Sequence, residues 1–207
     1  MLLNGKIYRA FRARRVMANG AVRLHLGCGQ VHYLPGWINV DANAFSAKVD
    51  LWLDLRNPLP FPDNSVDAIY SHHVIEHLAD MEGHLKDVHR VLKPSGVYRV
   101  AGPDGDAAIR KYLEGDAEWL GDFPDKYDSI GGRLSNYLLC RAEHLHILTE
   151  SFMRELGCRA GFGAIERRKA VEETGQPRLF QDVMSREEHN DAFEVSHTIV
   201  MEMTKAG

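Results

Sequence analysis

A glycine pair and two carboxylates stand where their spacing permits specific chemistry. Gly27-Cys28-Gly29 ends the apolar run Val22–Leu26, and Asp41 ends a second run, Trp37–Val40. Glycine lets the backbone approach a ligand closely, and a carboxylate accepts both hydroxyls of a ribose. In an open α/β sheet, ligands sit outside the carboxyl ends of the strands. A glycine turn after one strand and an acid after the next therefore suit a nucleoside-bearing cofactor. Asp54-Leu55 follows a third run, Val49–Leu53, and Ser71-His72-His73 closes a fourth, Val66–Tyr70. Imidazole suits proton transfer near neutral pH.

The elements that must position these residues are legible in outline. Val97–Ala101 reads as a fifth strand, and Ala164–Lys169 and Glu194–Met203 as two last ones. Between them Val74–Leu78 starts a short helix. Met81–Leu92 is amphipathic, with Leu85, Val88, Val91 and Leu92 at core spacing. Lys93-Pro94-Ser95-Gly96 stops that helix. Asp104–Leu113 reads as helix, and Thr149 caps another running to about Arg159. Strands alternating with helices predict a parallel sheet. A parallel crossover normally takes about a dozen residues or more. Gln30–Gly36 is shorter and Pro35-Gly36 breaks any helix, so the first crossover is abbreviated to one or two helical turns. Residues 114–148 form a loop-rich insertion holding His144 and His146. Its Trp119, Tyr127, Tyr137 and Arg133 suit a polar ring-shaped acceptor or, equally, pack the insertion onto the sheet.

The chain of 207 residues is long enough for one full domain, and 44% hydrophobic and 26% charged content is ordinary for a globular protein. Its three cysteines form no metal-binding pair, and a reducing cytoplasm is the simplest location. No apolar run reaches the ~18 residues of a membrane span. A net charge of −4 argues against a general nucleic-acid binder. The charge is uneven: Lys6, Arg9, Arg12, Arg14 and Arg15 stand without an acid in the first twenty residues, leaving −9 for the rest. Residues 1–21 read as a basic helical arm with Leu2, Leu3, Ile7, Phe11 and Val16 on its inner side. A transit peptide or an arm for an anionic partner has the same composition. Residues 22–207 read as a single domain.

Five ordered segments carry a resemblance: Leu26–Gly29, Pro35–Asp41, Leu59–Asp67, Ser71–Leu78 and Leu92–Gly96. Residues 22–102 thereby resemble the class I S-adenosylmethionine-dependent methyltransferases of the methyltransferase type 11 kind. The resemblance implies a Rossmann-like α/β fold: a seven-stranded sheet, helices on both faces and an antiparallel last strand. It implies S-adenosylmethionine as cofactor. Gly27, Cys28 and Gly29 would meet its methionine part through the backbone, Asp41 its ribose, Asp54 and Leu55 its adenine, and Ser71 and His72 its methyl end. Two departures from the pattern are His25, where many relatives carry an acid, and the lack of a third glycine.

The implied reaction is methyl transfer to the oxygen or nitrogen of a small-molecule or saccharide acceptor. His73 and His144 are the candidate catalytic groups, and Asp104 and Glu143 are further pocket candidates. No metal is expected, because Glu76-His77 belongs to a motif that needs none. Neither a nucleic-acid partner nor stable membrane insertion is expected. A non-catalytic cofactor-binding copy of the same fold is the alternative. A nicotinamide oxidoreductase fits poorly: its acid stands about 20 residues past the glycine turn, whereas Asp41 stands only 12 past Gly29.

Overall fold

Strand β1 (Arg23–Leu26) lies at the centre of the sheet, flanked by β2 (Ile38–Asp41) and β4 (Val66–His72). With β3 (Leu51–Trp52), β5 (Leu92–Pro103), β6 (Ala164–Arg168) and β7 (Thr198–Thr204), the order is β3-β2-β1-β4-β5-β7-β6. β1 to β5 are parallel, and β7 runs antiparallel to both neighbours. This computed structural model describes residues 22–30, 32–43, 48–187 and 194–207. The expected basic arm, 1–21, lies outside them.

One face of the sheet is covered by α1 (Met81–Val91) and α5 (Glu150–Ala160), which pack on each other. α1 buries Leu85, Val88 and Val91, and α5 buries Met153 and Leu156, against Leu24, Leu26, Ile69 and Val100. Both helices start on side-chain caps: Asp80 accepts from the Gly83 N–H at 2.8 Å, and Thr149 from the Phe152 N–H at 3.3 Å. On the other face, Tyr70, Trp37, Ala68 and Val97 pack against Phe180 of α6 (Pro177–Phe180) and Val183. Among the described residues, that face is covered by short pieces rather than long helices.

The short pieces are held by charge. Arg99 on β5 is fully buried, with its guanidinium on Glu187 at 2.5 and 2.7 Å and on Glu202 at 2.6 Å. Glu202 also accepts from Arg168, Thr174 and the Gly175 N–H. The segment after β6 is thereby tied to the sheet.

Several expected elements shift. β5 begins at Leu92, because Lys93–Gly96 forms a bulged start to the strand instead of an external stop. β7 begins at Thr198 rather than Glu194. Val74–Leu78 is a 3₁₀ turn over Ile75–His77. The loops of the 114–148 insertion are interrupted by helices the pattern did not show: α2 (Gly105–Glu114) is followed by α3 (Ala117–Leu120) and α4 (Ile130–Leu139). Asp116 caps α3 and Ser129 caps α4. Leu134, Tyr137 and Leu138 pack around buried Trp119. The apolar positions of α4 gain a partner only when α3 folds back on them, and a short segment gives little periodic signal of that.

The abbreviated crossover is as expected. β1 and β2 pair in parallel, Leu24 beside Ile38, with no helix between them among the described residues. Asn39 organises the connection. Its side chain accepts from the Leu34 N–H and donates to the Leu34 and Trp37 carbonyls and to Asp50. One buried amide thus satisfies the polar backbone of a turn that has no helix to do so.

Candidate active site

The ends of β1, β2 and β4 bring the glycine pair, Asp41 and the histidines to one edge of the sheet. Gly27 takes φ +69°, and a Cβ there would lie 2.2 Å from Val74 Cγ2. Glycine is needed so that the turn after β4 can close on the turn after β1. The N–H groups of Gly27 and Gly29 are engaged internally, by the Val40 carbonyl and Asp41 Oδ2, each at 2.8 Å. Both N–H groups thus have partners within the chain, and the glycines fix the path of the turn. Cys28 is buried, its thiol facing the Lys48 carbonyl, and burial pushes its pKa up to about 11. It is structural.

Asp41 accepts from Gly29 N–H at 2.8 Å and from Asn43 N–H at 2.7 Å, one on each oxygen. Each oxygen keeps a further lone pair. A Cβ on Gly29 would meet nothing within 4 Å, so open space lies beside this carboxylate. Those lone pairs are acceptors for hydroxyl donors. Asp54 is gripped by the Arg56 guanidinium at 2.6–3.0 Å and accepts the Arg56 N–H. An adenine amino group would have to share that carboxylate with Arg56. Leu55 lines a cavity of about 290 Å³ with Leu78 and His84. Ser71 departs from its expected role: it is fully buried and its hydroxyl meets Tyr98 Oη at 2.6 Å, on the core side of β4. His72 faces the opposite side, where it shares a small cavity with Gly27, His25, His32, Tyr70 and Arg186.

Arg186 was not singled out in the sequence. It sits at the end of the short 3₁₀ turn Met184–Arg186, far from every motif, and only the folding of that segment under the sheet brings its charge to Gly27. His25 is buried with Nδ1 3.1 Å from Asn39 Oδ1, and burial lowers its pKa to about 4. It serves the crossover as a neutral ring.

His73 follows β4 with a left-handed backbone, φ +53°, rare for a side chain of this size. Its N–H is held by the Ala101 carbonyl at 2.9 Å. Its Nδ1 lies 3.1 Å from Oε1 of Glu76, a fully buried carboxylate. That orients the imidazole, as a third group does for the base of a catalytic triad. Glu76 was missed as a functional residue. Its signal was the three-residue step from His73 across a tight turn.

His73 and His144 both line a cavity of about 260 Å³ with Trp119, Phe123, Tyr137 and His197. His144 is half-buried, and desolvation lowers its pKa. Trp119 stacks on His197 at 4.2 Å, donates to the Val195 carbonyl, and shares the wall with Tyr137, which donates to the His197 carbonyl. Arg133 turns away, onto Asp122 and the Ala117 and Gly121 carbonyls. Tyr127 is partly exposed and packs near Gly132. Neither of these two reaches the cavity. Asp104 caps α2 and pairs with Arg167, away from His73, and Glu143 offers its carbonyl to His77.

Residues 41–100 match the family model of the methyltransferase domain. That match covers 60 residues and is to a domain of the S-adenosylmethionine-dependent methyltransferases. S-adenosylmethionine is the cofactor of that family. Among solved structures, a methyltransferase of Thermotoga maritima, described as a possible histamine N-methyltransferase, superposes with a TM-score of 0.55 at 17% identity, covering 96% of this chain and 88% of that one. One from Archaeoglobus fulgidus gives 0.55 at 14% identity, over 97% and 94%. At these identities the likeness is one of fold. In sequence, a sterol 24-C-methyltransferase of Aspergillus fumigatus is 50% identical over 42 residues, 20% of this chain and 11% of that protein. A probable S-adenosylmethionine-dependent methyltransferase of Mycolicibacterium smegmatis is 46% identical over 57 residues, 28% and 22%. The matched segments thus span a small part of these relatives. Among the described residues, no helix of this chain is long and apolar enough to cross a membrane.

Proposed function

We propose that the protein methylates an oxygen or nitrogen of a small, ring-shaped acceptor, of saccharide size, held in the cavity beside His73. The observation that carries this reading is the His73–Glu76 pair at its wall. The cavity of about 260 Å³ is near the lower end of small-molecule sites, which run from about 300 to 1,000 Å³. Trp119 and Tyr137 offer aromatic surface for a sugar ring.

S-adenosylmethionine, when bound, supplies a methyl group already activated by the sulfonium. Asp41 binds the ribose and Arg186 faces the methionine carboxylate. The walls of the cavity align the acceptor, and such alignment supplies roughly 7–11 kcal/mol of a barrier. With Nδ1 on Glu76, His73 takes the acceptor proton at Nε2, for a gain of about 10²–10⁴-fold. His144 lines the same wall. The competing reading, a cofactor-binding protein without turnover, leaves this base without work. Methyl transfer from radiolabelled S-adenosylmethionine to a panel of sugars, phenols and amines separates the two: turnover that falls about 10²-fold or more in His73→Ala, with cofactor affinity retained, supports the enzyme. Cofactor binding with no transfer to any acceptor supports the alternative.

A further inference from the structure

Glu76, which orients His73, also converges with His77 and His144 at the end of the insertion, and proton transfer by His73 makes no use of that convergence. One nitrogen from each ring and one carboxylate oxygen lie within 4.8 Å of one another. The 3₁₀ turn Ile75–His77 turns Glu76 inward, and the Leu145 N–H donates to the Glu76 carbonyl at 2.8 Å, fastening the end of the insertion onto that turn. The rings meet edge to face at 4.9 Å.

The hydrogen bonds set the tautomers. His77 Nδ1 faces the Glu143 carbonyl at 2.9 Å, and His144 Nδ1 faces the Leu138 carbonyl at 3.1 Å. A carbonyl only accepts, so both Nδ1 atoms carry the proton, and each neutral ring presents its Nε2 lone pair. Histidine that donates one nitrogen to a backbone carbonyl and offers the other is the usual arrangement of a metal ligand. His77 Nε2 stands 3.9 Å from Glu76 Oε1. Bonds of about 2.0–2.1 Å in a tetrahedral site put donors roughly 3.4 Å apart, so a contraction of up to about 1.4 Å from the 4.8 Å limit completes the set.

Charge points the same way. Glu76 is fully buried, its Oε2 has no hydrogen-bond partner, and among the described residues no lysine or arginine pairs with it. A buried carboxylate without a cation is costly. Two imidazoles and one carboxylate are the donors of a borderline divalent metal rather than of magnesium or calcium.

We propose that Glu76, His77 and His144 bind one divalent transition-metal ion of the zinc type, with a position left open toward the acceptor cavity. Three protein donors with an open place characterise reactive rather than structural sites. The expectation of no metal rested on the local Glu76-His77 motif, which does not contain the third ligand. The site is independent of the methyl-transfer reading, because it is measured on the protein alone.

Calorimetric titration of the chelator-treated full chain with zinc chloride tests it. One ion per chain is expected, with affinity falling at least about 100-fold in His77→Ala and in His144→Ala, and unchanged in Cys158→Ser, which removes the exposed thiol. His77→Asn and His144→Gln, checked for native unfolding midpoints, guard against loss of fold. Cobalt(II) loading should give visible ligand-field bands without a thiolate charge-transfer band. Binding that survives both histidine substitutions, a thiolate band, or no binding below about 100 μM zinc overturns the proposal.

Discussion

Asp41 and His73 do different work, and substitution separates them. Asp41 has both oxygens on backbone N–H groups and spare lone pairs beside open space. Asp41→Ala leaves ribose hydroxyls unpaired and should weaken S-adenosylmethionine by about 1–3 kcal/mol in calorimetry. Arg186→Ala should also weaken it, and the loss should shrink with added salt, since charge rather than fit is removed. Glu76→Gln keeps shape and burial but replaces the carboxylate that orients His73 Nδ1 with an amide. Turnover should fall while S-adenosylmethionine affinity in calorimetry is retained. Unchanged turnover would detach Glu76 from the base. Of these residues, Asp41 and His73 were visible in the sequence because they end strands. Arg186 was not, since nothing local marks a cation that reaches the site from 3₁₀ turn 184–186.

The first crossover and the β6–β7 connection are elements held by single buried polar side chains. Asn39 replaces a missing helix with four hydrogen bonds to Leu34, Trp37 and Asp50. Asn39→Ala orphans buried backbone groups, each costing about 1–3 kcal/mol, and should lower the urea midpoint while also weakening cofactor binding, since Asp41 is two residues on. Arg99 carries the other connection. Its removal leaves Glu187 and Glu202 buried without their cation, so Arg99→Ala should destabilise by about 3–5 kcal/mol in urea titration. An apolar triple replacement of similar volume should recover much of that loss. The crossover was readable from Pro35-Gly36 and the shortness of the segment. The insertion was not read as helical, because α3 and α4 are too short to show a period and are stabilised by packing on each other.

At the scale of the whole molecule, buried neutral histidines set the response to acid. Burial holds His25 and His84 near pKa 4 in the folded chain. In the unfolded chain both titrate near 6.5. Below 6.5 the unfolded state binds more protons, so stability falls as pH drops from about 6.5 to about 4 and levels off beneath that. Each ring contributes up to about 3 kcal/mol over this window. Urea unfolding between pH 7 and pH 4 should show the decline. His84→Leu, which cannot titrate, should flatten it by about half.

What the sequence determined by itself is what short-range order encodes. Alternating apolar runs and helical patterns specify a parallel sheet, and glycines, prolines and acids mark the ends of its strands. These are properties of one segment and its immediate neighbours, so they survive being read in one dimension. The tertiary structure alone decided which of the described histidines are ring supports and which face a cavity. It turned Ser71 into the core, pointed Arg133 away from the acceptor space, and brought His144 against Glu76 and His77 from the far end of the insertion. Such outcomes depend on which face of a strand or turn a side chain takes and on which distant segment packs over it. Those choices are set by the collapse of the whole core, and no spacing along the chain records them.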